Sequence, residues 1–212
     1  MEVEAMKQLS IIGCGPGAPE YMTGAGMKAI ANAEVYAGAD HLLKRYALAG
    51  KPQIQLGSNI EGALHAIAAS VAAGKRVAVL VSGDPGLCSI ATPVIQRFGL
   101  SICEVIPGIS SVQLLFARLG LEWFEARILS AHHTLPEVGA EELRPFKTLV
   151  ILCGHRLSQQ WVSALFFALG QGRKLVVCQD LSLPTEHITE VDGEQFYKMK
   201  LSSRTIVVIR SS

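Results

Sequence analysis

Short aliphatic runs of strand length alternate with amphipathic stretches of helix length through the first half of the chain, the beat of parallel strands joined by crossover helices. The pattern predicts strands at Leu9–Gly13, Glu34–Tyr36, Ile54–Leu56, Arg76–Val81 and Ile102–Val105. Between and after them it predicts helices at Met22–Asn32, Asp40–Leu48, Ile60–Ala73, Leu87–Phe98 and Ser110–Leu119. That set fills one α/β domain around a parallel sheet. After Gly120-Leu121-Glu122-Trp123 the punctuation changes, and strands are expected at Ala126–Ser130, Thr148–Leu152 and Lys174–Cys178, with a helix at Leu157–Leu169. The β-branched segments Glu186–Val191 and Thr205–Ile209 flank a polar stretch around Gly193–Met199, which predicts antiparallel strands at a sheet edge. The expected organisation is an N-terminal parallel-sheet α/β domain over 1–120 and a C-terminal mixed-sheet α/β domain over 121–212. A linker as short as the one around Gly120 favours a cleft of fixed geometry between them.

Composition narrows the class. The 212 residues are 50% hydrophobic and 17% charged, with 20 glycines between the aliphatic runs, a balance that excludes whole-chain disorder and a fibrous protein. With 19 basic against 18 acidic residues the net charge is +1, so no global field gathers phosphates and a primary nucleic-acid binder is not expected. The longest stretch free of charged residues, Leu157–Gly172, contains Gln159, Gln160 and Gln171 and is too short and polar to span a bilayer. Met1 to Lys7 carry acids and are followed by no signal-type apolar region, so the expected address is cytoplasmic. Cysteines at 14, 88, 103, 153 and 178 are odd in number and form no CxxC pair, which fits reduced thiols packed as small hydrophobes rather than a metal site.

Candidate chemistry lies in three glycine-bearing loops. Gly13-Cys14-Gly15-Pro16-Gly17 ends the first strand, where glycines let the backbone turn and approach a ligand. A dinucleotide fingerprint would need glycine where Ala18 stands, Pro16 removes an N–H from an anion cradle, and no Gly-Lys-Ser/Thr ending follows. Glu34 falls about where a ribose-binding acid would, which keeps a dinucleotide module and a plain tight turn as alternatives. Ser82-Gly83-Asp84-Pro85-Gly86 follows the most hydrophobic strand; ligands of open parallel sheets lie beyond the carboxyl ends of strands, so the loops should converge. Asp84 either accepts hydrogen bonds from ribose hydroxyls or an ammonium group, or turns the chain and caps the next helix. Ile106 to Gln113 sets Ser110 and Ser111 beside free backbone N–H groups, which taken alone is an N-cap.

These loops in this order resemble the tetrapyrrole (corrin/porphyrin) methylase family, from Ile11 to Ile209. Val81 to Gly86, Val105 to Leu114 and Phe116 to Leu121 look more narrowly like the branch that methylates C5 of cobalt-precorrin-7 in cobalamin biosynthesis. That branch often carries Ser-Leu-His-Gly after the sixth strand; here Ser130-Ala131-His132-His133 puts a histidine in place of the glycine. The resemblance implies a homodimer, S-adenosyl-L-methionine in an interdomain cleft with S-adenosyl-L-homocysteine as product, and the tetrapyrrole substrate in an adjacent trough. Residue by residue, it implies cofactor contacts at Ser82, Gly83, Asp84, Leu87, Ser110 and Ser111, then at Cys153 before Gly154 and at Leu181. The loop of Gly15 and Pro16 would floor the trough.

Methyl transfer from a sulfonium is an in-line displacement with the leaving group already activated, so the protein chiefly orients and excludes water. His132 and Glu186 are the candidates near the substrate; against them stand a structural histidine bonded to a carbonyl and a loop-fixing acid. Arg118, Arg127, Arg156 and the two histidines could meet the substrate carboxylates. No decarboxylating domain is recognised, so C15 methylation would fall to a separate polypeptide. The rivals are a methylase of the same fold acting on another corrin carbon, a porphyrinogen, diphthine or ribosomal RNA, and a non-catalytic tetrapyrrole carrier or dinucleotide-binding module.

Overall fold

The computed structural model describes residues 7–211, so the stretch Met1 to Lys7 read against a secretion signal lies, apart from Lys7, outside the described residues. The chain divides into two compact units, one running to Ser111 and one from Val112. In the first, β1 (Leu9–Gly13), β2 (Val35–Gly38), β3 (Gln53–Gln55), β4 (Val77–Val81) and β5 (Cys103–Ile106) form a sheet in the order β3-β2-β4-β1-β5. Every pairing in it is parallel. The crossovers carry α1 (Gly24–Asn32), α2 (Asp40–Tyr46), α3 (Ile60–Ala72) and α4 (Ala91–Phe98).

Strand β4 shows why the sheet is central to this unit: all of Val77–Val81 is buried. Val77, Val79 and Val81 join one apolar cluster with Leu64, Ile67 and Val94, while Ala78 and Leu80 join another with Ile30, Leu42 and Leu43. A sheet covered by helices on both faces needs such continuous apolar runs. Thr23 starts α1 by accepting from the Gly26 amide at 3.0 Å, and Asn59 starts α3 by accepting from Gly62 at 2.9 Å.

The second unit opens with α5 (Ser111–Leu119), followed by β6 (Arg127–Ala131), α6 (Ala140–Leu143), β7 (Thr148–Cys153), α7 (Ser158–Leu169), β8 (Arg173–Gln179), β9 (His187–Val191), α8 (Gly193–Lys198) and β10 (Thr205–Ser211). Its sheet has the order β6-β7-β10-β8-β9, mixed because β6 and β7 are parallel and β10 is antiparallel to both neighbours. Leu143, Leu149, Ile151, Val162, Phe196 and Val207 are fully buried in its core.

Three expectations need correction. Thr205–Ile209 is not at an edge: β10 lies between β7 and β8, and its first five residues are all buried, as a central strand requires. Of the two segments, only β9 lies at an edge of the sheet. The polar stretch from Gly193 is helix α8, begun by a reciprocal box in which Asp192 accepts from the Gln195 amide at 2.7 Å and Gln195 from the Asp192 amide at 3.1 Å. Helix α4 starts at Ala91, not Leu87, because Cys88 has φ 50° and Ser89 first closes a turn, donating to the Pro85 carbonyl at 2.6 Å and accepting from the Ala91 amide at 3.0 Å. Among the described residues no helix is long and apolar enough to cross a membrane.

Candidate functional site

Three loops leave the carboxyl ends of β1, β4 and β5, and glycines tie them together. Gly15 and Gly83 exchange both backbone hydrogen bonds, at 3.2 and 2.8 Å, with φ of +77° and +66°. L-residues rarely adopt such angles, so both positions call for glycine. A Cβ on Gly13 would lie 2.5 Å from the Gly108 nitrogen and 2.7 Å from the Gly83 carbonyl oxygen. A Cβ on Gly108 would lie 2.7 Å from the Gly13 carbonyl carbon and closer still to the Gly83 oxygen. The loops therefore touch backbone to backbone, a packing that only glycine permits.

Asp84 fastens the same knot. Its Oδ1 accepts from the Gly86 amide at 2.8 Å and its Oδ2 from the Gly108 amide at 3.1 Å, linking the second loop to the third. Leu87 closes the Asp84 turn with a 3.1 Å backbone bond. Each carboxylate oxygen keeps lone-pair capacity beyond these bonds, so a loop-fixing role and a ligand-accepting one are compatible. Asparagine at this position would turn an NH2 group toward one of the two amides. Asp84→Asn is expected to cost about 1–2 kcal/mol and to speed hydrogen exchange at the Gly108 amide, read by urea denaturation and exchange spectra; exchange at the wild-type rate would show that Asp84 does not hold the third loop.

Elsewhere on this rim the Ser82 hydroxyl lies 3.4 Å from His41 Nε2, Ser110 is buried, and Arg45 donates to the Gly17 carbonyl of the first loop. Glu34, by contrast, precedes β2 at the opposite, amino-terminal rim. It accepts from the Arg76 amide at 3.1 Å and pairs with Lys75 and Arg76, each at 3.6 Å. The Arg76 amide holds its carboxyl below the ordinary range. The ribose-binding acid of a dinucleotide site is not at the glycine loops.

In the second unit two corners hold the remaining candidates. After β8 the chain turns through Asp180 at φ 51° and Ser182 at φ 73°, with Leu181 buried between them. Cys88 is the other non-glycine residue with positive φ among the described residues, so backbone strain of this kind is confined to the loops after β4 and β8. Such strain persists only where surroundings impose it, and it concentrates at functional sites. Asp180 accepts from Ser202 at 3.2 Å and Thr185 at 3.3 Å, and Glu186 accepts from the Ser182 amide at 2.6 Å. Glu186 is gripped in turn by Arg118 of α5, Nε to Oε1 at 2.7 Å and Nη2 to Oε2 at 3.4 Å. Arg118 holds the Glu186 carboxyl below its usual range, with the Ser182 amide adding to the effect. These contacts tie the carboxylate to the loop after β8 and engage Nε and Nη2 of Arg118.

At the other corner, beyond β6 and β7, His132 Nδ1 lies 3.1 Å from the Cys153 carbonyl oxygen and its ring meets the edge of His133 at a centroid distance of 4.6 Å. His133 has no left-handed backbone, so the departure from glycine needs no strain. Arg127 lies over the Phe146 ring at 5.9 Å, and Arg156 is exposed. Cys153 is buried, and burial pushes its thiol up to about 11; Cys14 and Cys178 rise to about 12 for the same reason. All five cysteines are free and only Cys88 is exposed, the one departure from the expectation of core thiols.

The sequence brings in Gly154 only as the neighbour of Cys153, and Asp180 and Ser182 only as the neighbours of Leu181. Gly154 could have been found by asking what its glycine makes room for; the two positive φ values leave no sequence signal at an aspartate or serine.

The family model for Tetrapyrrole (Corrin/Porphyrin) Methylases matches residues 8–196. Among curated relatives, the cobalt-precorrin-7 C(5)-methyltransferase of Salmonella typhimurium is 31% identical over 181 residues, covering 85% of this chain and 88% of the relative. Among solved structures, a cobalt precorrin-4 methyltransferase superposes with a TM-score of 0.81 at 20% identity, over 99% of this chain and 97% of that one. The uroporphyrin-III C-methyltransferase of Thermus thermophilus, complexed with S-adenosylhomocysteine, gives 0.76 at 22% identity, over 96% and 97%.

Proposed function

Since the chain belongs to the tetrapyrrole (corrin/porphyrin) methylase family, we propose that it transfers a methyl group from S-adenosyl-L-methionine to C5 of precorrin-7 or its cobalt form in cobalamin biosynthesis. The observation that carries the C5 assignment is the 31% identity to the Salmonella C(5)-methyltransferase over most of both chains. The proposal includes a homodimer acting in the cytoplasm, without nucleic acid, and leaves C15 methylation and decarboxylation to a separate polypeptide.

The residues of the first unit suit such a cofactor. Its three loops offer glycine backbone, the hydroxyls of Ser82, Ser110 and Ser111, and one carboxylate, with no lysine or arginine among them. That donor set fits a cationic ligand with a neutral sugar better than a polyphosphate. When bound, S-adenosylmethionine supplies a methyl group on sulfur that is already an activated leaving group. The chain's own task is to hold reactants in line, for which loops locked by glycine contacts and by Asp84 are stiff enough. Ser82, Gly83, Asp84, Leu87, Ser110 and Ser111 are assigned to the cofactor, and Gly15 and Pro16 to the macrocycle. Within the second unit, Cys153 and Leu181 are assigned to the cofactor and His132 to the macrocycle; Arg118 acts through Glu186.

Isothermal titration tests the proposal. S-adenosylhomocysteine is expected to bind with a Kd on the order of micromolar, about 8 kcal/mol of binding free energy, while NAD and ATP give no heat. Supplied with precorrin-7, the protein should add one methyl mass to the macrocycle. Binding of NAD without S-adenosylhomocysteine would overturn the methylase assignment, and methyl addition at another carbon would overturn the C5 assignment alone.

A further inference from the structure

The His132 ring sits in the space that a side chain at position 154 would need. A Cβ built on Gly154 would lie 2.7 Å from Cε1 and 2.8 Å from Cγ, and closer still to Nδ1. Gly154 is not among the glycines with positive φ, so the ring, not the backbone, requires glycine here. In this seat Nδ1 faces the Cys153 carbonyl oxygen at 3.1 Å. A carbonyl oxygen can only accept, so Nδ1 carries a hydrogen, and in the neutral ring the lone pair belongs to Nε2. His133 stands edge-on to the ring, at 76° between planes, and supports the same orientation.

We propose that Gly154 and the Cys153 carbonyl fix His132 as its Nδ1–H tautomer, so that Nε2 is the acceptor for the proton that the macrocycle loses on methylation. This rests on the methylase reading and deepens it: His132 is the catalytic residue and Gly154 a positioning residue. In the step, a π-electron pair of the macrocycle forms the new C–CH3 bond, and the S–CH3 bonding pair leaves with sulfur as the neutral thioether. The methylated carbon then loses its proton to Nε2 as the C–H pair restores conjugation. Imidazole is a weak enough base to release that proton to water afterwards. The hydrogen bond at Nδ1 stabilises the positive charge that the ring then carries.

Two-bond nitrogen–proton correlation spectra of the 15N-histidine-labelled full chain, free of cofactor and substrate, read the tautomer directly. The His132 signals are assigned as those lost in His132→Gln. The wild type is expected to show a protonated Nδ1 and a bare Nε2, and Gly154→Ala, whose methyl expels the ring, to revert to the Nε2–H form. Single-turnover methyl transfer should fall about 100-fold in both variants, with S-adenosylhomocysteine affinity within about twofold of wild type, a split that distinguishes proton acceptance from cofactor binding. An Nε2–H ring in the wild type, or an unchanged tautomer in Gly154→Ala, overturns the positioning. The expected tautomer with unimpaired transfer in both variants overturns the acceptor role. A wild type with that tautomer that neither binds S-adenosylhomocysteine nor methylates overturns the methylase reading and the acceptor role together, while the tautomer assignment stands.

Discussion

Gly108→Ala is expected to lower the stability of the protein by about 3 kcal/mol, the upper range for forcing a methyl group into packed backbone. The new Cβ would meet the Gly13 carbonyl carbon at 2.7 Å and the Gly83 oxygen at less, and neither belongs to a side chain that could swing aside. Relief must come from moving a loop, which breaks the Gly15–Gly83 bonds or the Asp84–Gly108 bond. Urea denaturation measures the cost, and Gly57→Ala is the control, since nothing lies within 4 Å of a Cβ there. The control should stay within about 0.5 kcal/mol of wild type. If Gly108→Ala did the same, the three loops would not be in backbone contact. Because the loops carry the proposed cofactor residues, S-adenosylhomocysteine affinity should fall as well, by tenfold for each 1.4 kcal/mol or so of added loop disorder.

Glu186→Gln should have the second largest effect. It removes the charge gripped by Arg118 and weakens the acceptor that holds the Ser182 amide, so the turn through Asp180 and Ser182 loses what keeps it in a left-handed conformation. Hydrogen bonds to charged groups contribute about 1.5–3 kcal/mol each when shielded. The pair is partly open to solvent, at 38% and 23% side-chain exposure, which brings the expected loss down to about 1–2 kcal/mol. The same contact sets a pH dependence. The Glu186 carboxyl titrates lower in the folded protein than its ordinary 4.5, so its contribution is complete above that value and is lost as pH falls through the folded pKa. Stability measured from pH 7 downwards should therefore decline less steeply in Glu186→Gln than in wild type below about pH 4.5. Parallel curves would show that Glu186 holds no net stabilising charge.

What the sequence displayed, and what it hid, divides along the range of the interactions. The strand Leu9–Gly13 was legible to the residue because a short aliphatic segment of Leu9, Ile11 and Ile12 closed by glycine is set by neighbours in the chain. The three glycine loops were legible as loops, and their order was enough for the family. Their mutual contact was not, since Gly13 and Gly108 meet only after β1 and β5 have paired. The run Thr205-Ile206-Val207-Val208-Ile209 carries the signature of a strand buried on both faces; the break in alternation before it drew the edge assignment. The box at Asp192 and Gln195 is a helix start readable from the sequence alone, within the polar stretch between the two β-branched segments. Arg118 and Glu186 lay beyond any local rule, because their attraction depends on α5 and the β8–β9 turn being brought together.

The place of β10 also orders events in time. Strands β7 and β8 are separated by β10, which follows them in the chain after β9 and α8. While Thr205–Ser211 is unpaired, each presents an open apolar edge with no partner in its native register. The sheet of the second unit is therefore incomplete until this last strand has paired with both β7 and β8, and such long-range pairing is slow. During that wait the half-built sheet is the species exposed to strand capture by another chain. The first unit meets the same constraint, since β4 lies between β1 and β2, both of which precede it in the chain.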